Sequence, residues 1–219
     1  MFVITADQID SRNDHDRARE MIAQLVAQNP HAFSLPPDQT AGDEIQLLVS
    51  AAGPALDAIL ALHRSGHWSV GLGVGSVRTP LPASTRQATG DAFIAARDAV
   101  LRAKKTEAHF ALEPGRTDAA AADTATGIEA LLTMLLLLRQ RRTPQGWQAG
   151  DLFESGLAQT DIAERLGITT GAVSQRLKAA QYRVEQAARP ALVRLLEQLD
   201  VASNAGTNET ANIETESRP

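Results

Sequence analysis

Apolar positions recur along the chain with two different periods, and the change from one to the other falls near residue 115. Residues 2–6 form a short apolar, β-branched run ending at Asp7, which predicts a buried strand. Ala18, Met21, Ile22, Leu25 and Val26 then recur at helical spacing. That helix is expected to stop at Asn29, because a residue before proline is pushed out of the helical region and Pro30 follows. Residues 31–35 and 44–49 flank a turn at 40–43 and predict a hairpin, and residues 55–63 predict a second helix on Leu56, Ile59, Leu60 and Leu62. Residues 67–77 alternate strictly. Gly71, Gly73 and Gly75 share one face and Val70, Leu72 and Val74 the other, so a helix or a ligand can approach the glycine face closely. A helix over 91–105 and a strand over 109–112 complete a β, α, hairpin, α, β, α, β order, an α/β unit with at least one antiparallel pair.

After residue 114 the alternation stops. Residues 115–126 are small and polar, a linker or a helix start, and from Ile128 onward every segment has the helical period. The most apolar window, 131–138, is followed by Arg139, Arg141 and Arg142, which read as a solvated helix end facing the helix dipole. Eight residues fall short of the roughly 20 that span a bilayer, so a buried helix is expected. Residues 182–200 continue as helix, interrupted at Pro190, and the polar tail from 202 is expected to be disordered.

Composition narrows the classes of function. The chain has 219 residues, enough for one large or two small domains, and no cysteine, which excludes disulfides, thiolate metal sites and a cysteine nucleophile. An acid at position 7 and the lack of a basic start speak against a signal peptide and for a cytoplasmic protein. The formal net charge of −5 argues at first against a nucleic-acid partner. The charge is uneven, however. Residues 1–114 carry net −3 and the tail from 201 net −2, whereas residues 170–189 carry net +3, from Arg176, Lys178, Arg183 and Arg189 against Glu185.

That basic stretch overlaps a helix-turn-helix pattern at 158–180. Ile162, Ala163 and Leu166 make the inner face of a first helix, which Thr160 can cap. Gly167 supplies the positive φ of a tight turn, Ile168 plugs it, Thr169 or Thr170 caps the second helix, and Val173 with Leu177 forms that helix's buried stripe. Thr169, Thr170, Ser174, Gln175, Arg176 and Lys178 are then the candidate DNA-binding residues, since hydroxyl, amide and basic groups reach base edges and phosphates from a helix in the major groove. Glycine-turn helix pairs also occur as packing elements. The pattern IAxxLGxxxxxVSxRL, present here from Ile162 to Leu177, resembles the helix-turn-helix of LuxR, sigma-region-4 and MarR-like regulators. No strand pair follows it, which favours a reader without a wing.

In the N-terminal half, Asp7 ends a strand and Asp43 sits in the hairpin turn. Two carboxylates brought together there suit Mg²⁺ or Mn²⁺, while each alone is an ordinary turn residue. The histidines, none paired with another at ligand spacing, are expected at the surface or at strand ends, and Trp68 and Trp147 in the core. The glycines at 71, 73 and 75 are not a dinucleotide fingerprint, because no glycine follows three residues on and no helix opens there.

The blocks ADQIDSR at 6–12, AGDEIQ at 41–46, GLGVG at 71–75 and GDAFIAAR at 90–97 resemble the SatD family of bacterial proteins, and more distantly class III nucleotidyl cyclases and diguanylate cyclases. The resemblance implies an α+β chain: a ferredoxin-like, cyclase-like domain of βααββαβ type over 1–114, a linker and apolar helix over 115–143, an all-α helix-turn-helix domain over 144–201, and a tail over 202–219. It implies that Asp7 and Asp43 are metal carboxylates and that Arg97 and Gly73 contact a nucleotide. Phe93 stands where cyclases place an asparagine and Gln39 where they place a base-selecting lysine, so the domain is expected to sense a nucleotide with Mg²⁺ or Mn²⁺, or to mediate dimerisation, rather than to turn over. The expected protein is a bacterial transcriptional regulator, a homodimer on double-stranded DNA without a membrane partner. The alternative is a metal-dependent cyclase or transferase using Asp7 and Asp43.

Overall fold

A computed structural model describes residues 1–12, 14–40, 42–115 and 119–205. Strands β1 (Phe2–Gln8), β2 (Asp38–Gln39), β3 (Glu44–Val49), β4 (Trp68–Val74) and β5 (Phe110–Pro114) form one mixed sheet in the order β2-β3-β1-β4-β5. All neighbouring pairs are antiparallel except β4 with β5, which run parallel. Helices α1 (Ala18–Gln28), α2 (Ala52–Ser65) and α3 (Asp91–Ala103) connect them. The protein is therefore mixed α+β. Among the described residues one helix, not two, separates β1 from β2, because the polar stretch from Asp10 to Asp16 has no apolar face to bury. The hairpin is also shorter than its sequence predicts. Pro36 and Pro37 confine pairing to Asp38 and Gln39, with one isolated bridge between Phe33 and Val49; Ala41 of the expected turn lies outside the described residues.

The two faces of the sheet follow the alternation. Phe2, Ile4, Ala6, Ile45, Leu47, Val70, Leu72, Val74, Phe110 and Leu112 belong to the main core beneath α1 and α2. On the other face Val3 and Leu48 meet Ala92, Phe93 and Ala96 of α3. The glycine face of β4 is what lets α3 sit so close. A Cβ at Gly71 would lie 2.2 Å from the Val100 amide nitrogen, and one at Gly73 would lie 2.1 Å from the Ala92 carbonyl oxygen. At β5, the sheet edge is closed by side chains: Glu129 accepts from Leu112 N at 2.7 Å, Arg102 donates to Leu112 O at 2.8 Å, and the two side chains pair with each other. An edge strand satisfied in this way offers no open template for another chain.

Helix α4 (Ala119–Gln140) is longer than the apolar window and begins close after β5; residues 116–118 of the expected linker lie outside the described residues. By length and composition it is, among the described residues, the one helix that could cross a membrane. Its Ala125, Ile128, Leu132, Leu135 and Leu136 nevertheless pack into the main core. After α5 (Pro144–Glu154), α6 (Gln159–Leu166) and α7 (Thr170–Ala179), the long α8 (Tyr182–Asn204) returns to the sheet. Leu192, Leu196 and Leu199 join the main core, and Asp200 pairs with the amino group of Met1, which also donates to Gly75 O at 3.0 Å.

α8 departs from its sequence reading in two ways. It runs through Pro190 without a break, at a stretch where Pro190 and Gln186, whose carbonyl the missing N–H would have engaged, are both exposed to water. It also extends to Asn204, past the expected start of the tail; residues 206–219 lie outside the described residues.

Two further expectations are corrected. Arg139 and Arg142 are not a solvated helix end: their side chains are 7% and 3% exposed, drawn inward by Glu185 of α8, itself 2% exposed. His63 is not a surface residue either. It is buried in α2 and lies 3.2 Å from the Gln140 amide nitrogen, where burial pushes its pKa down to about 4, with Arg139 and His109 adding to the shift. Trp68 is in the core as expected, whereas Trp147 is half-buried among three guanidinium groups.

Candidate nucleic-acid interface

Three helices, α5, α6 and α7, and the first turn of α8 pack around Ala149, Ile162, Ala163, Val173, Leu177 and Tyr182. Each joint between them has a local cause. Thr143 accepts from Gly146 N at 3.1 Å and Pro144 occupies the first turn, a start signal for α5 in the sequence that the helical period alone does not reveal. Gly150 lets the ring of Tyr182 approach, and that ring meets Phe153 edge-on at 5.7 Å.

Between α6 and α7, Gly167 adopts φ 63°. The amides of Gly167 and Ile168 bond back to Glu164 O and Ala163 O, a Schellman closure. Thr169 then caps α7, its hydroxyl accepting from Ala172 N at 3.1 Å. Thr160 does not cap α6. The capping position falls on Ala158, which has no side-chain acceptor, and Thr160 lies inside the first turn beside Asp161.

This packing turns one face of α7 outward. Thr170, Gly171, Ser174, Gln175 and Lys178 are exposed, as is Thr169 at the cap, while Val173 and Leu177 are buried. Arg176 is half-buried, off the outward stripe. Gln159 at the start of α6 and Arg183 on α8 join Ser174 and Lys178 around a concavity of about 200 Å³ that Leu177 and Val184 also line. Gln159 and Arg183 extend the expected set. They sit at the borders of the motif, and only the α7–α8 turn, closed by Gln181 at φ 51°, brings them together. Arg189, counted with this basic stretch from sequence, points elsewhere, to Asp57 and Glu185, and with it goes the one acid that offset the stretch.

The candidate residues of the α/β layer do not assemble into a second site. Asp7 pairs with Lys104 Nζ at 2.8 Å. The β1–β3 register sets Glu44, not Asp43, opposite Asp7, and Glu44 accepts from the Thr40 hydroxyl at 2.6 Å. Asp43 stands in the turn, its carbonyl accepting from Gln8 N. Among the described residues no group of three or more His, Asp or Glu side chains is placed to hold a metal ion. With Asp7 held by Lys104 and Glu44 rather than Asp43 set opposite it, the two acids do not fit a two-carboxylate Mg²⁺ or Mn²⁺ centre. Gly73 is covered by α3, and Arg97 is exposed on the outer side of that helix, so no nucleotide could touch both at once. Comparison of the chain with protein-family models, with curated proteins and with solved structures gives no match.

Proposed function

We propose that this chain is a DNA-binding regulator that reads double-stranded DNA with α7. The observation that carries the reading is the outward stripe of α7: hydroxyl, amide and ammonium groups exposed on a helix whose opposite face is fully packed and whose turn is closed by Gly167 and Thr169. Ser174 and Gln175 are the base-reading side chains in this proposal, and Gln159, Lys178 and Arg183 hold phosphates. The outer surface of α6 carries Asp161 and Glu164 against Arg165, a net acidic balance that favours orienting the duplex toward the α7 and α8 side.

The sheet order β2-β3-β1-β4 supports reading the N-terminal layer as a ferredoxin-like unit with β5 added at the β4 edge, the architecture that the SatD and cyclase resemblance implies. No specific observation favours the enzymatic alternative, since Asp7 is held by Lys104 and Gly73 lies beneath α3. With so small a basic footprint, useful affinity requires two copies on two half-sites. The leucines Leu192, Leu196 and Leu199 of α8 are buried in its own core, whereas α4 exposes Leu131 and Met134, and we place the contact of the proposed homodimer on that face of α4.

The test is selection of bound sequences from a random DNA pool, followed by affinity measurements over a range of salt. Lys178→Ala and Arg183→Ala should each flatten the logarithmic salt slope by about 0.9. Gln175→Ala should cost about 1–3 kcal/mol on the preferred sequence and relax the preference at one position. Absence of salt-dependent binding to any DNA would refute the reading.

A further inference from the structure

A cleft of about 400 Å³ separates the α/β layer from the helical unit, within the size range of small-molecule sites. Its inner wall is unusual in charge. Glu185 is the one buried carboxylate there, and it meets Arg139 Nη1, Arg142 Nη2 at 2.5 Å and Arg189 Nη1 at 3.5 Å. Two buried guanidiniums, Arg139 and Arg142, thus share one carboxylate, and Arg189 is divided between it and Asp57. The other acids lining the cleft stand at its rim: Asp57 on Arg189 and Asp151 on Arg64, 46% and 47% exposed, and the exposed Glu154. Water screens the rim pairs far more than the inner cluster.

Inside, Arg139 donates to Leu60 O at 3.2 Å, but its buried Nε has no hydrogen-bond partner among the described residues. Burial pushes its pKa down to about 10; Glu185 opposes the shift, and Arg142, Arg189 and Arg64 add to it. Buried guanidinium in excess of carboxylate, with a donor left open, is a costly arrangement for a cleft that stays empty.

We propose that this cleft binds a small oxyanion of two negative charges, a phosphate monoester or a dicarboxylate, on Arg139, Arg142 and Arg189. Guanidinium is suited to both, since its planar fork matches carboxylate and phosphate oxygens. The site lies between the layers, away from Asp7, Asp43 and Gly73. It also touches the proposed reading helix: Arg142 Nε donates to Ala180 O at 2.7 Å, at the C-terminal end of α7, while the same guanidinium holds Glu185 one turn into α8. A ligand that draws Arg142 away from either partner shifts the end of α7, and this regulatory part rests on the DNA-binding reading.

Trp147 makes the binding measurable. Its ring lies 4.3 Å from Arg64 and 4.7 Å from both Arg139 and Arg142, whereas the other tryptophan, Trp68, is buried in the sheet. The full chain is titrated with inorganic phosphate and, separately, with succinate, against sodium chloride of matched ionic strength, with tryptophan emission and thermal unfolding as readouts. One of the two anions should give a saturable emission change and a rise in Tm that chloride does not. Saturation by phosphate alone identifies the monoester class, and by succinate alone the dicarboxylate class.

Arg189→Gln should weaken that binding about tenfold or more, the loss expected for one charge-assisted contact. This variant keeps its fold, because Arg189 is 25% exposed, its partner Asp57 is half-exposed, and its other partner Glu185 keeps Arg139 and Arg142. No saturable response to either anion, or identical curves for wild type and Arg189→Gln, would overturn the proposal. The same anion should then change DNA affinity. If the chain binds no DNA, the anion titration still stands or falls by itself.

Discussion

His63 ties stability to pH in a way whose sign follows from its surroundings. The imidazole is 8% exposed on α2, facing the end of α4 where Gln140 can donate to its Nε2, and Arg139 lies close enough to oppose a second positive charge. Its pKa falls from 6.5 to about 4 on folding. Between these values the unfolded chain binds more protons than the folded one, so stability drops as pH is lowered through this window and is insensitive to His63 above it. Applying the linkage relation to that shift gives a loss of about 2 kcal/mol from this one group between pH 8 and pH 5, and about 3 kcal/mol once the pH is well below 4.

The assay is urea unfolding at several pH values between 8 and 5, for wild type and for His63→Gln, which keeps an acceptor for Gln140 but cannot titrate. The difference between the two curves removes every other titrating group. Wild type should lose about 2 kcal/mol more than the variant by pH 5. Parallel losses would refute the premise that the folded chain holds His63 neutral, and with it the tight contact between α2 and α4.

The remaining predictions concern backbone positions. Gly73→Ala puts a methyl group 2.1 Å from the Ala92 carbonyl oxygen, and backbone cannot rotate aside, so α3 must retreat by about 1 Å; a loss of more than about 3 kcal/mol, read as a lowered urea midpoint, is expected. Gly167→Ala has open space for its Cβ but must hold φ 63°, at about 1 kcal/mol, and calorimetry should show a Tm lower by a few degrees with an unchanged helical spectrum. Thr169→Ala removes the cap on Ala172 N at about 1 kcal/mol of stability, and amide exchange at the start of α7 should quicken before exchange elsewhere does.

The helix-turn-helix could be read from sequence because its determinants are local. Ile162, Ala163, Gly167, Thr169, Val173 and Leu177 meet within a few helical turns, so their spacing already encodes their contacts. The glycine face of β4 was legible for the same reason: alternation assigns faces within one strand, and the structure adds that α3 is what approaches. The arginine cluster was not legible. Arg139 and Arg142 look like any basic helix end until α8 brings back Glu185, whose pairing with Arg139 spans 46 positions of chain. Sequence gives each residue's charge but not the tertiary neighbour that decides whether the charge is solvated or buried.

The acids of the N-terminal layer fail at a finer scale. Asp7 and Asp43 do reach the same end of the sheet, as the strand and turn signals imply, and the Gln8 amide bonds to the Asp43 carbonyl. A metal centre needs more than proximity of backbone, because both carboxylates must project to one side. In an antiparallel pair the partner of each residue shares its face and the next residue faces away. The register pairs Asp7 with Glu44, so a single step along the chain moves Asp43 off the side where Asp7 meets Lys104. Hydrophobic patterning pins that register, since a slip by one residue would turn Ile45 and Leu47 out of the main core and Leu48 away from α3. The burial that holds β3 in place is therefore also what separates the two acids.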